Sequence, residues 1–138
     1  MTKMLLMELD RIQPSQLYIS SRKLKSVMKN FASKPRLMEP IPIKKLRDRV
    51  IFIDGHTRAF AALLHRFPRV PVYWEDEELD WEAYEICVMW CLENRIHTIA
   101  DLKDRVVSHK EYKKVWYERC AKMQKELKAR RKLAESKS

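Results

Sequence analysis

Val50-Ile51-Phe52-Ile53-Asp54-Gly55-His56-Thr57-Arg58 runs directly into Ala59-Phe60-Ala61-Ala62-Leu63-Leu64. The first four residues are β-branched or aromatic and read as a buried strand. The last six are apolar nearly all round and read as a buried helix. At such a strand-to-helix turn the first free N–H groups of the helix point outward, where its dipole is worth about half a positive charge. Gly55 is the only glycine in 138 residues, where average usage of about 7% would give roughly ten. Its position therefore matters: glycine enters positive φ freely and lets an anion approach the backbone with no Cβ in the way. Thr57 offers a hydroxyl, and Arg58 a planar fork suited to phosphate or carboxylate. His56 can donate, accept or exchange a proton near neutral pH. Together they read as an anion cradle, most naturally for phosphate. The plainer reading is that Asp54 caps the helix, Gly55 turns the chain and Arg58 makes a surface ion pair.

Toward the N-terminus, residues 4–9 (Met-Leu-Leu-Met-Glu-Leu) read as a buried strand and residues 12–19, with Pro14, as a connection. Ser20 or Ser21 can cap a helix reaching about Phe31, because Leu24, Val27, Met28 and Phe31 fall at i, i+3, i+4 and i+7. Residues 34–42 form a proline-punctuated loop. Residues 41–46 pair with 50–53 in a hairpin turned at Arg47-Asp48, despite its missing glycine. Phe67-Pro68 ends the buried helix, and Val70 to Trp74 resumes strand character. The first half thus reads β-α-β-β-α-β, and the fold class is α+β with a small mixed sheet.

From Glu75 the texture changes. Residues 75–85 hold seven acidic side chains and no basic one, a solvated loop and helix start. Asp80 caps a helix with Trp81, Tyr84, Val88, Cys91 and Leu92 on one face. Thr98-Ile99-Ala100-Asp101 and Ser108-His109-Lys110-Glu111 both match capping boxes, so two further helices are expected. The last carries Tyr112, Val115, Trp116, Cys120, Met123 and Leu127 on one stripe, opposite a basic face. The expected organisation is a unit over residues 1–76, a three-helix extension over 77–129 packed on it, and a basic tail over 130–138 that frays.

Net charge is +10, from 29 Lys and Arg against 19 Asp and Glu. Residues 119–138 alone supply +6, so much of the basicity belongs to the last helix and tail. No stretch approaches the roughly 18 apolar residues of a membrane span, and residues 1–10 lack the h-region of a secretory signal. Cys87, Cys91 and Cys120 form no even framework, which points to reduced thiols and a cytoplasmic protein. Cys87 and Cys91 lie in an apolar stretch as small hydrophobes, and no metal site is expected. Trp81, Trp90 and Trp116 read as core. Trp74, at a strand end, is the one candidate for stacking on a base.

The order of these segments resembles the ParB/sulfiredoxin superfamily over about residues 4–75. The resemblance rests on Ile12-x-Pro14 after a first strand, Pro40-Ile41-Pro42-Ile43, residues 50–58, Ala61-Ala62 and Val70-Pro71-Val72. ParB proteins carry Gly-Glu-Arg-Arg at this turn, which places Gly55 and Arg58 on shared positions. Sulfiredoxins carry Gly-Cys-His-Arg, which places His56 where their reactive cysteine stands, so sulfiredoxin chemistry is not expected. The Asp-Gly-His-x-Arg form looks closest to the free-serine kinase branch. Those kinases use a glutamate after the first strand as base. Here the segment is Gln13-Pro14-Ser15-Gln16-Leu17-Tyr18, without an acid, and Gln16 can orient a hydroxyl but not deprotonate it.

The resemblance implies binding of a nucleotide or other phosphorylated small molecule at residues 54–58. Gly55, His56, Thr57 and Arg58 would hold phosphate, Gln16 and Trp74 would be accessory, and His56 and Asp54 would be the candidates for any phosphoryl-transfer chemistry. The implied cofactor is a nucleotide (ATP, ADP or CTP), with or without Mg²⁺. Two other readings stand beside it: a DNA-associated regulatory module using the basic C-terminal helices, and a non-catalytic interaction scaffold.

Overall fold

The computed structural model describes residues 3–137. Along the chain lie β1 (Met4–Glu8), β2 (Ile19–Ser20), α1 (Ser21–Lys29), β3 (Ile41–Leu46), β4 (Arg49–Phe52), α2 (His56–Leu64) and β5 (Arg69–Trp74). Then come α3 (Trp81–Glu93), β6 (Val106–Val107), α4 (His109–Tyr112) and α5 (Glu118–Lys137). The class is α+β, as expected. Four strands form one mixed sheet in the order β1-β5-β3-β4, with β5 and β3 parallel and the other pairs antiparallel. Ile41, Ile43, Val70 and Val72 are fully buried in its two central strands. The short β2 and β6 pair in parallel, Ile19 with Val106 and Ser20 with Val107, and tie the late helical region to the connection after β1.

β1 is an edge strand rather than a buried one. Met4 and Leu6 are 46% and 42% exposed, while Leu5 and Met7 pack against the core. An apolar run with no polar alternation hides which face points inward, so the sequence pattern reads as burial on both. The β3–β4 hairpin turns as expected at Arg47-Asp48, and Arg47 itself adopts φ 55° in place of a glycine.

Ser20, Asp80 and Ser108 each cap the helix predicted for them, accepting from the N–H of Lys23, Ala83 and Glu111. Thr98 and Asp101 complete a reciprocal capping box. The segment it opens is a 3₁₀ helix (Ile99–Arg105), not the α-helix expected. Its buried residues, Ile99 and Leu102, are three apart, the repeat of a three-residue turn. From Ser108 the chain is helical to Lys137 through a π-turn at Lys113–Tyr117. Tyr112, Trp116, Met123 and Leu127 are buried, as the stripe requires.

The tail does not fray at Arg130. α5 continues to Lys137, and Arg131 forks onto Asp80 at 2.7 Å and Glu82 at 3.0 Å at the start of α3. Part of the acidic run read as solvated is thus the partner of the tail. One buried cluster extends from Leu9 to Leu127, so the helical region and the sheet share a core. No helix among the described residues is long and apolar enough to cross a membrane.

Candidate functional site at the start of helix α2

The last residues of β4 deliver the chain to the turn with Phe52 fully buried, and Gly55 takes φ +76°. A Cβ there would lie 2.9 Å from Ile41 Cγ2 and 3.1 Å from Arg58 Nη2, so only glycine fits without displacement. Gly55, not Asp54, is the N-cap of α2, and no side chain caps this end. The helical ladder opens with Ala59 N–H donating to Gly55 O at 2.9 Å. The residues before it, from Asp54 to Arg58, line a cavity of about 360 Å³.

Gly55, Asp54, His56, Thr57 and Arg58 line that cavity on one side, and Gln16 lines it from the segment after β1. That segment is held along β4: Gln13 N–H donates to Val50 O at 2.8 Å, Phe52 N–H donates to Gln13 O at 3.0 Å, and Ser15 Oγ donates to Phe52 O at 2.6 Å. Six of the seven expected site residues therefore converge. Trp74 does not. It is 40% exposed at the end of β5 and takes no part in lining the cavity.

His56 is 4% exposed, and its Nε2 accepts the Ser15 N–H at 2.9 Å. Its ring packs edge-on to Phe52 with centroids 5.5 Å apart. Burial lowers its pKa from 6.5 to about 4, against a smaller opposing pull from Asp54. The ring is therefore neutral at pH 7, with its proton on Nδ1 and its basic nitrogen already engaged. The expected acid–base role gives way to a positioning role: His56 pins residue 15, and with it Gln16, to the start of α2.

Arg58 Nη1 donates to the carbonyls of Glu39 and Pro40 at 3.0 and 3.2 Å, and Nη2 lies over Gly55. One end of the fork thus holds the loop before β3 while the other faces the glycine. Asp54 is exposed and supplies the one carboxylate among the residues lining the cavity, while the Glu39 carboxylate lies 3.9 Å from Arg58 Nη1, the ion pair of the plainer reading.

Lys23, Ser26, Val27 and Tyr112 also line the cavity and were not expected there. The first three lie at i, i+3 and i+4 on α1, along the edge of the apolar stripe that identified the helix, to which Val27 itself belongs. Lys23 Nζ donates to Tyr117 Oη and sits over the rings of Tyr112 and Tyr117, 5.3 and 5.1 Å from their centroids. The π-turn makes this possible, since it stacks residues five apart; the two rings are 5.0 Å apart at 74°. Gln16 Nε2 donates to Tyr112 Oη at 2.9 Å. Burial raises the Tyr112 pKa, so its hydroxyl stays protonated and available as a donor. Lys23 and Tyr112 carried no local motif; only the packing of α1 and α4 brings them to the turn.

No family model matches the chain, and no curated protein matches it. Among solved structures it is similar to protein Atu1540 from Agrobacterium tumefaciens, at 14% identity and a TM-score of 0.46, over 70% of this chain and 50% of that one. The chain thus spans half the length of that protein.

Proposed function

We propose that the chain binds a nucleotide (ATP, ADP or CTP) or another phosphorylated small molecule in the cavity at the start of α2, on a cradle of the ParB/sulfiredoxin kind. The observation that carries this reading is the uncapped, glycine-started N-terminus of α2 between two cations, Lys23 and Arg58. Backbone N–H groups and the helix dipole favour an anion there. Arg58 Nη2, Lys23 and the hydroxyls of Thr57, Ser26 and Tyr112 add donors around it. A cavity of about 360 Å³ is of the size that holds a small ligand.

Mg²⁺ entering on the phosphates would meet one carboxylate, Asp54. Among the described residues no three His, Cys, Asp or Glu side chains converge to hold a metal. The donor set therefore fits a metal carried by the nucleotide rather than one bound by the protein alone. Phosphoryl transfer has less support than binding. His56 is neutral with Nε2 occupied, and Gln16 is an amide, which leaves Asp54 as the group able to take a proton from an acceptor.

Thermal melting with ATP, ADP, CTP and inorganic phosphate, each with and without Mg²⁺, tests the reading. Ligand at a hundredfold its Kd stabilises by about 2.7 kcal/mol. Lys23→Ala should weaken the effect, and Arg58→Lys should reduce affinity by about 1–3 kcal/mol through lost charge-assisted hydrogen bonds. No shift in wild type at millimolar ligand would overturn the proposal.

The DNA-associated alternative is favoured by one observation: α5 is exposed along most of its length and carries eight basic against three acidic side chains. It calls for duplex binding whose affinity falls steeply with salt.

A further inference from the structure

The cavity at the start of α2 adjoins a second one of about 240 Å³, and Gln16, Asp54 and His56 line both. The two differ in chemistry. Lys23 and Arg58 line the first, whereas no lysine or arginine lines the second. Its own walls are Ile53, Ala83 and Tyr84 on one side and Trp116 and Met123 on the other. We propose, on the phosphate-binding reading above, that this second cavity is the specificity subsite for the same ligand. It takes an aromatic ring, such as a nucleobase, carried by the molecule whose phosphate sits at α2.

His56 stands at the joint between the cavities with a donor to spare. Its Nε2 accepts the Ser15 N–H at 2.9 Å, so that nitrogen holds the lone pair and Nδ1 carries the proton. The side chain is 4% exposed, yet Nδ1–H has no hydrogen-bond partner among the described residues. The sealed side-chain atom without a partner among those residues is Gln13 Oε1, so His56 Nδ1 opens onto the cavities its ring lines. A donor so deeply placed and unpaired is costly. An ester or sugar oxygen joining phosphate to ring would pair it.

Polar side chains confined to the second cavity are mostly spent within the protein. Ser15 Oγ donates to Phe52 O at 2.6 Å, and Tyr84 Oη donates to Ile53 O at 3.1 Å. Asp80 accepts from the Ala83 N–H and from Arg131, which ties α5 to α3 beside the cavity. What they leave is an apolar lining that includes the rings of Tyr84 and Trp116 and the Met123 thioether. Such groups favour a planar ring through stacking and sulfur–aromatic contact. Trp116 packs edge-on to Trp90, with centroids 6.1 Å apart at 81°, which fixes its indole against that space. It thus takes the stacking role that Trp74, outside both cavities, does not.

Calorimetry on the full chain compares inorganic phosphate, ribose 5-phosphate, CMP and AMP. The first two report the cradle alone, because neither carries an aromatic ring. At least one nucleotide should bind more tightly than ribose 5-phosphate by roughly tenfold or more, the scale of one stacked base. Ala83→Leu adds bulk to the second cavity from α3, so it should remove that advantage and leave the affinity for inorganic phosphate unchanged. In wild type carrying methyl-labelled methionine, the tighter nucleotide should shift the Met123 methyl resonance by ring current, and inorganic phosphate should not. Met123→Leu assigns the resonance. These wild-type measurements stand even where Ala83→Leu folds poorly. Equal affinity for ribose 5-phosphate and both nucleotides would overturn the subsite and leave the cradle in place. So would a nucleotide advantage that survives Ala83→Leu in a folded protein, or a bound nucleotide that leaves the Met123 methyl unmoved. If none of the four binds, the cradle falls and the subsite with it.

Discussion

Gly55 is where a single added carbon should matter most. Its φ of +76° is strained for any side chain, and the Cβ would press on Ile41, which is fully buried. Gly55→Val should cost about 1–3 kcal/mol of stability from backbone strain and crowding, and should abolish nucleotide-induced stabilisation by moving Arg58. Denaturant unfolding and thermal shift on one preparation check both effects, and an unchanged ligand response would remove the cradle as drawn. His56 makes a pH prediction. Its pKa is lowered, so the unfolded chain takes up the proton first as pH falls. Its neutral form supports the fold fully above pH 6.5, and that support is lost as pH drops toward about 4. The loss is about 3 kcal/mol over that window. In His56→Gln the amide oxygen can still accept from Ser15 N–H but does not titrate, so its unfolding free energy should be flatter than wild type between pH 6.5 and 4. Equal slopes would mean that His56 is not the buried neutral ring described. The special place of Gly55 was legible from glycine scarcity alone. That His56 supports the loop rather than exchanging protons was not, because its partner is a backbone amide 41 positions away.

At the level of elements, a chain with one glycine has to end its helices by other means. α2 and α3 both close with paired bonds of the same kind: Phe67 N–H to Ala62 O with Arg66 N–H to Leu63 O, and Ile96 N–H to Cys91 O with Arg95 N–H to Leu92 O. In each, the residue usually glycine is an arginine, at φ 59° in both cases. Both arginines are exposed and no core contact demands them there. Arg95→Gly and Arg66→Gly should therefore each stabilise the fold by about 0.5–1 kcal/mol, relief of left-handed strain outweighing the added freedom of the unfolded chain. Urea unfolding reads this directly, and destabilisation in both variants would refute it. The helix starts were legible because Ser20, Asp80, Thr98 and Ser108 use local capping chemistry. The helix ends were not, since nothing in an arginine signals φ > 0. Nor did the Thr98 capping box distinguish a 3₁₀ from an α-helix; Ile99 and Leu102 settle that by packing under α2.

Across the whole molecule, the sequence pattern located the β-α-β-β-α-β order and the strand-to-helix turn, while the contacts between distant segments came only with packing. Lys23 reaches the cavity through Tyr112 and Tyr117, about ninety residues later, and β2 pairs with β6 over a similar span. The tail is the clearest case. Residues 130–138 lose the apolar stripe and would fray if burial were their sole anchor. Arg131 supplies another anchor, a two-pronged ion pair to the carboxylates of Asp80 and Glu82 at the start of α3. The pair holds the Asp80 carboxyl below its usual pKa while Asp80 also caps α3. Because all three side chains are partly open to water, the clamp should respond to ionic strength: screening reaches about 10 Å at 0.1 M salt and about 3 Å at 1 M. Arg131→Ala should therefore melt below wild type in dilute buffer, with the gap narrowing as sodium chloride rises to 1 M. Asp80→Asn separates the two roles of that residue, since asparagine still caps α3 but loses the charge facing Arg131. If the ion pair is what docks the tail, adding Arg131→Ala to Asp80→Asn should lower the melting temperature less than it does in wild type. If Arg131→Ala melts with wild type at every salt concentration, α5 is held by Met123 and Leu127 alone and the clamp contributes nothing.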